Sequence, residues 1–244
     1  MSSVGQNFEE PLNFYNFLQI VGRKIYSLIY YSKLRKEKMK EINTGSTRQF
    51  GDYNWCILDI KNNVALVITE NIIEQRAYHD AYGYIMWADC DLRKYLNSAF
   101  YDKFNKIDKS KIILVTNKNP NNPWYGSMGG EDTQDKIFLL TIEDVVCKYF
   151  GDSSRLLYNP SKKQKYWFQR KDENNLMRRS SFEGCPWWWW LRSHGRANNR
   201  AVYIHGDGNI GIQGNGTFRY NSNIIHPLTG DNYGGIRPAL WLIP

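Results

Sequence analysis

No Cys-x-x-Cys pair occurs in these 244 residues, and no histidine stands at a zinc-ligand interval from a cysteine, so no zinc knuckle is expected. The four cysteines, Cys56, Cys90, Cys147 and Cys185, are too widely spaced for a dense disulfide framework; reduced thiols are the simpler reading. No run reaches the roughly 18 apolar residues that a membrane helix needs. The opening MSSVGQNFEEPLNF has no basic segment ahead of an apolar one. No signal peptide is therefore read, and a cytoplasmic or virion-associated product is expected. The acidic group Glu131, Asp132 and Asp135 in GGEDTQD lacks EF-hand spacing and reads as a turn rather than a calcium loop. RNP, KH and helix-turn-helix patterns are missing as well. Neither a metal nor a cofactor is expected.

What is present suffices for a core. With 42% apolar and 15% aromatic residues in 244, the chain is long for one domain and short for two, so one domain with an appendage is expected. The net charge of +8 is uneven: +4 over residues 1–48 (8 basic against 4 acidic), −4 over 49–154 (11 against 15) and +8 over 155–244 (13 against 5). The basic excess sits at the two ends.

Residues 11–42 step through Phe14, Leu18, Val21, Ile25, Leu28 and Tyr31 or Ser32 by threes and fours, the period of a helix. Pro11 suits its first turn, and Asn43 with Gly45 suits its end. A long amphipathic helix with a basic second half, YYSKLRKEKMKE, is predicted. It fits self-association or partner docking, and its lysines are also compatible with a membrane surface or nucleic acid. The domain division is 1–47 for this helix and 48–244 for the remainder.

In that remainder, WCILDI and VALVIT flank Lys61-Asn62-Asn63 as a hairpin. Leu92, Tyr95, Leu96, Ala99 and Phe100 have helical spacing within residues 91–104. Residues 116–136 are crowded with Asn, Pro and Gly and read as a loop. IFLL reads as a strand, followed by a helix capped by Thr141 with Glu143 and Asp144 in its first turn. From Trp187 onward, short apolar alternations between glycine turns predict antiparallel strands. Helices ahead of strands, without βαβ alternation, give the α+β class.

The run Trp187-Trp188-Trp189-Trp190 has two readings. Alternation along a strand sends neighbouring side chains to opposite faces. A central strand covered on both faces explains four tryptophans without any ligand. Alternatively the outward pair, Trp188 and Trp190, makes a stacking platform beside Arg192 and His194.

The blocks WWWWLRSHG, AVY with GDGNI, and GGIRPALWL, together with FGDYNWCILD, LRKYLN, NPWYG, GGEDTQDKIFLL and VVCKYFGD upstream, resemble a domain of unknown function widespread in gut bacteria and their phages. That family carries a WWLRSPG…GVRPALWL pattern, and the likeness spans about residues 48–244. More distantly, the sequence is similar to the C-type lectin-like fold of formylglycine-generating enzymes and of variable proteins diversified by retroelements. His194 stands where the family has Pro, and Ile236 where it has Val. The resemblance implies a C-type lectin-like domain with short antiparallel strands and two or three helices. It also implies structural roles for Trp189, Leu191, Arg192, Gly235, Arg237, Pro238, Ala239 and Leu240, and a ligand face in the segments ahead of the final block.

The candidate binding residues are accordingly Trp188, Trp190, His194, Asn198, Asn199, Tyr203, His205, Asn209, Gln213, Arg219, Tyr220, Asn221, Asn223, Asn232 and Tyr233. Asn and Tyr are the residues that binding loops use, since a rigid aromatic adds contact area at low entropic cost and an amide adapts its hydrogen bonding. They are also turn residues of a polar β-meander. A non-catalytic recognition protein for a protein or glycan ligand is expected, of the kind that retroelements diversify. Two alternatives stay open: a nucleic-acid binder using basic and aromatic residues, and an enzyme of formylglycine-generating-like fold, for which Cys185 near His194 is the one nucleophile candidate.

Overall fold

The computed structural model describes residues 19–30, 43–158, 172–218 and 233–243. The chain divides into two compact units, residues 1–42 and 43–244. In the first unit, residues 19–30 form helix α1; the rest of the helix predicted over 11–42 lies outside the described residues. Ile25 and Leu28 of its apolar series are exposed.

The second unit starts with β1 (Thr47–Phe50), β2 (Tyr53–Lys61) and β3 (Val64–Thr69). The hairpin between β2 and β3 turns on Asn62 and Asn63, both at positive φ, 50° and 63°. That is the two-residue geometry in which Asn is favoured. Then follow β4 (Glu74–Arg76), α2 (Asp91–Tyr95), α3 (Lys106–Lys109), β5 (Ile112–Ile113), β6 (Val115–Asn117) and β7 (Thr133–Asp135). Helical turns continue α2 through Lys103, so the helix expected over 91–104 is present. Its buried stripe is Leu92, Leu96 and Phe100, each four residues from the last, as one helix face requires. The loop expected over 116–136 is irregular in its middle, but its ends pair as the β6–β7 hairpin.

The IFLL segment makes a single bridge, Phe138 to Ala239, rather than a strand. Thr141 and Asp144 form a reciprocal cap: the Asp144 N–H donates to Thr141 Oγ1 at 3.2 Å, and the Thr141 N–H donates to Asp144 Oδ2 at 2.9 Å. The turn it starts, Asp144–Lys148, precedes α4 (Ser154–Leu157), α5 (Asn175–Arg178), β8 (Ser181–Phe182), β9 (Cys185–Pro186), β10 (Trp189–His194), β11 (Arg200–Ile204), β12 (Ile210–Gly216), β13 (Gly234–Ile236) and β14 (Ala239–Leu242). The mixture of short helices and small, mainly antiparallel sheets is α+β, with more helical turns than the two or three expected.

Two five-stranded sheets organise the unit, in the orders β1-β2-β3-β14-β5 and β12-β11-β10-β13-β4. The block GGIRPALWL joins them. Its GGI is β13 of the second sheet and its ALWL is β14 of the first. Arg237, at the crossing, is buried and donates to the carbonyls of Thr69 (2.8 Å) and Glu70 (3.1 Å), with its guanidinium over the Trp189 ring at 5.1 Å. A Cβ at Gly234 would overlap the rings of Trp188 and Trp190, and one at Gly235 would overlap Ile72. The glycine pair therefore allows β13 to pass close to the tryptophan strand.

The tryptophan strand is central, paired antiparallel with β11 and parallel with β13. Trp189 and Trp190 point to opposite faces and both are 0% exposed. Trp189 Nε1 donates to the Arg178 carbonyl at 3.1 Å and Trp190 Nε1 to the Arg76 carbonyl at 3.0 Å, so each indole is buried with its polar atom satisfied. Arg178 and Asp172 form a fully buried ion pair, and Arg178 also donates to the Gly208 carbonyl. None of the described helices is long and apolar enough to cross a membrane.

Candidate functional site

The β10–β11 connection, residues 195–199, lies at one end of the second sheet, and three other segments gather there. Asn122 Nδ2 donates to the carbonyls of His194 (2.8 Å) and Ile212 (3.2 Å), and Ser127 Oγ donates to the Gly195 carbonyl at 2.5 Å. The Ile85 N–H donates to the Asn198 carbonyl at 3.0 Å, which brings in residues 82–86. The Asn199 carbonyl accepts from the N–H and Oγ1 of Thr217, both at 3.0 Å. Backbone bonds thus hold the 195–199 turn from several sides, while the side chains of Asn198 and Asn199 bond to no described residue.

Between them and the Tyr82-Gly83-Tyr84 turn opens a shallow cleft of about 340 Å3, lined by Tyr82, Gly83, Tyr84, Ala197, Asn198 and Asn199. Tyr82 is 75% exposed and Tyr84 55%. Both rings are nevertheless seated: Tyr82 meets Phe218 edge-on at 4.7 Å, and Tyr84 lies 6.3 Å from His194 and donates its hydroxyl to Met86 Sδ at 3.6 Å. Met128 and Tyr125 are exposed on the neighbouring 119–130 segment.

His194 lies near Tyr84 but outside the cleft lining. It is 4% exposed, and neither ring nitrogen has a hydrogen-bond partner among the described residues. Burial pushes its imidazole below the usual value, opposed by the backbone at Asn198, Gly195 and Ile85.

The predicted binding residues separate into several environments. Asn198 and Asn199 line the cleft. Trp190 is buried completely and belongs to the core, so the expected platform edge does not include it. Trp188 is half-buried, edge-on to Trp190 at 4.7 Å and to Tyr203 at 5.3 Å. Tyr203 and Gln213 are buried because both faces of β11 and β12 are covered, and Asn209 is buried in the turn between the two strands. Tyr203 and His205, both named as candidate binding residues, therefore share no open face. His205 is exposed and pairs with Asp207 at 3.0 Å in the β11–β12 turn, at the opposite end of β11 from the cleft. In the same turn Asn209 donates to Asp207. Against the desolvation that raises it, these bonds hold the Asp207 carboxyl below the usual range. Tyr233 is half-buried. Arg219, Tyr220, Asn221, Asn223 and Asn232 lie outside the described residues.

Sequence reasoning missed Tyr82 and Tyr84. The stretch AYGY carries the same signal that singled out the C-terminal segments: aromatics beside glycine in a turn.

Cys185 is exposed on β9, whereas His194 is buried at the far end of β10, so the two do not make a nucleophile and base. Burial pushes the Cys90 thiol up to about 12, which leaves it inert. Asp135 is spent on structure, accepting from Trp87 Nε1 (3.1 Å), Arg93 Nε (2.6 Å), Asn117 Nδ2 (3.0 Å) and Thr133 Oγ1 (2.6 Å). Asp132 pairs with Lys118. Among the described residues, no three His, Cys, Asp or Glu side chains converge on a point that could hold a metal ion.

No curated protein and no solved structure matches the chain. One family model does, over residues 62–244, a span that includes the tyrosine turn, the tryptophan strand and the closing block, and the chain accordingly belongs to the family described as Domain of unknown function (DUF6273).

Proposed function

We propose that residues 43–244 form a non-catalytic recognition domain of C-type lectin-like type, whose ligand face is the cleft between the 82–84 turn and the 195–199 turn. One observation carries the reading: two well-seated tyrosines stay exposed beside two asparagine amides that bond to no described residue. Exposed aromatics grouped in this way supply much of an interface's energy. The lectin-like assignment draws support from the closing strand β14, which returns between β3 and β5, and from the loops gathered at one end of the second sheet. Kinship with retroelement-diversified proteins belongs to the same proposal. A reverse transcriptase gene and a near-copy of the 3′ coding stretch beside this gene would test it. The helix around residues 19–30, with Ile20, Ile25, Tyr26 and Leu28 exposed, is proposed to associate with a second copy or a partner.

The recognition reading is tested by hydrogen exchange with a ligand selected on arrays or by display. Protection is expected at residues 82–86 and 195–199. Protection confined to the 205–209 turn, or chemical turnover of the ligand, would overturn the reading.

A further inference from the structure

The cleft offers more than exposure: it has a definable chemistry. Its described lining carries no charged side chain, so nothing in it balances a phosphate, a carboxylate or an ammonium. What it presents is two exposed tyrosine rings and two amides. Each amide has a donor group and an acceptor side by side. That pair matches two neighbouring hydroxyls, one giving and one taking a hydrogen bond. The faces of Tyr82 and Tyr84 carry the negative side of the ring quadrupole, which attracts the weakly positive C–H groups on the apolar side of a sugar ring.

Gly83 adds an independent observation. Its φ is not in the left-handed region, and apart from its chain neighbours Tyr82 and Tyr84 no atom lies within 4 Å of a Cβ built there. Neither backbone conformation nor packing requires glycine at this position. The residue lies between the two tyrosines, on the lining of the cleft, and a side chain there would project into space the protein leaves empty.

From this we infer that the cleft binds an uncharged saccharide, with a sugar ring seated over Gly83 against Tyr82 or Tyr84 and its hydroxyls on Asn198 and Asn199; the inference rests on the recognition role proposed above.

The test uses the full chain on an array of neutral and acidic oligosaccharides, with a peptide-display selection run in parallel and each hit titrated in solution. Neutral oligosaccharides are expected to bind. Gly83→Leu, which adds a side chain to the cleft lining, and Tyr84→Ala are each expected to weaken that binding by about tenfold or more. Tyr84→Phe, which keeps the ring face, retains it, and so does Tyr158→Ala at an exposed tyrosine outside the cleft lining. Circular dichroism shows whether each variant is folded. Binding restricted to acidic saccharides, or neutral binding indifferent to Gly83→Leu, overturns the inference. If display yields peptides that Gly83→Leu excludes and no saccharide binds, the saccharide assignment falls and the recognition role stands. If no binder of any class responds to Gly83→Leu or Tyr84→Ala, both fall.

Discussion

Two aromatic pairs of this chain, Trp189-Trp190 at the end of the run WWWW and Tyr82 with Tyr84 in AYGY, end in opposite environments. In the first, alternation sends Trp189 and Trp190 to the two faces of a strand that has neighbours on both edges and cover on both sides. Both indoles find backbone carbonyl acceptors and disappear from solvent. In the second, a glycine turn sets one tyrosine edge-on to Phe218 and the other tilted near His194, and leaves both exposed. Aromatic density alone therefore says little about function in this protein. What separates a core aromatic from an exposed one here is the pairing of the backbone beneath it.

The comparison can be broken most severely at Trp190. Trp190→Ala removes a fully buried indole and is expected to cost about 3–5 kcal/mol, read as a lowered urea midpoint. Gly234→Ala comes next: its methyl would overlap the Trp188 and Trp190 rings, and overpacking of this kind costs about 1–3 kcal/mol. Heat denaturation of the purified variant measures it, and an unchanged transition would show that β13 can move away from the tryptophans.

A smaller effect is expected from His194, which links the two stretches. Its pKa is lowered in the fold from the usual 6.5 by burial, so below about that pH the unfolded chain takes up a proton that the folded protein refuses. The stabilising contribution is present above pH 6.5 and is lost as pH falls through the lower folded value. His194→Gln is expected to flatten the acid side of the melting-temperature profile. An identical profile would mean that His194 titrates normally.

Much of the fold is legible in the sequence because it rests on local rules. Asn62-Asn63 specifies its turn, Thr141 with Asp144 its cap, and Leu92, Leu96 and Phe100 their helix face. The tryptophan run allowed a two-faced central strand, and β10 has that form. The candidate site is much less legible. Tyr203 and His205 both read as binding residues, but a strand covered on both sides leaves Tyr203 no open face, and cover is a property of distant segments. Tyr82 and Tyr84 come beside Asn198 in the candidate site through the Ile85 N–H bond to the Asn198 carbonyl, a contact across more than a hundred positions that no local pattern encodes.

The most direct measurement is equilibrium unfolding in urea of the Tyr82→Ala, Tyr84→Ala double variant beside Trp190→Ala. Side chains exposed for recognition add little to the fold, so each tyrosine is expected to change stability by no more than about 0.5 kcal/mol, with the slope of the transition unchanged. A loss comparable with that of Trp190→Ala would place the tyrosines in the core and contradict the account.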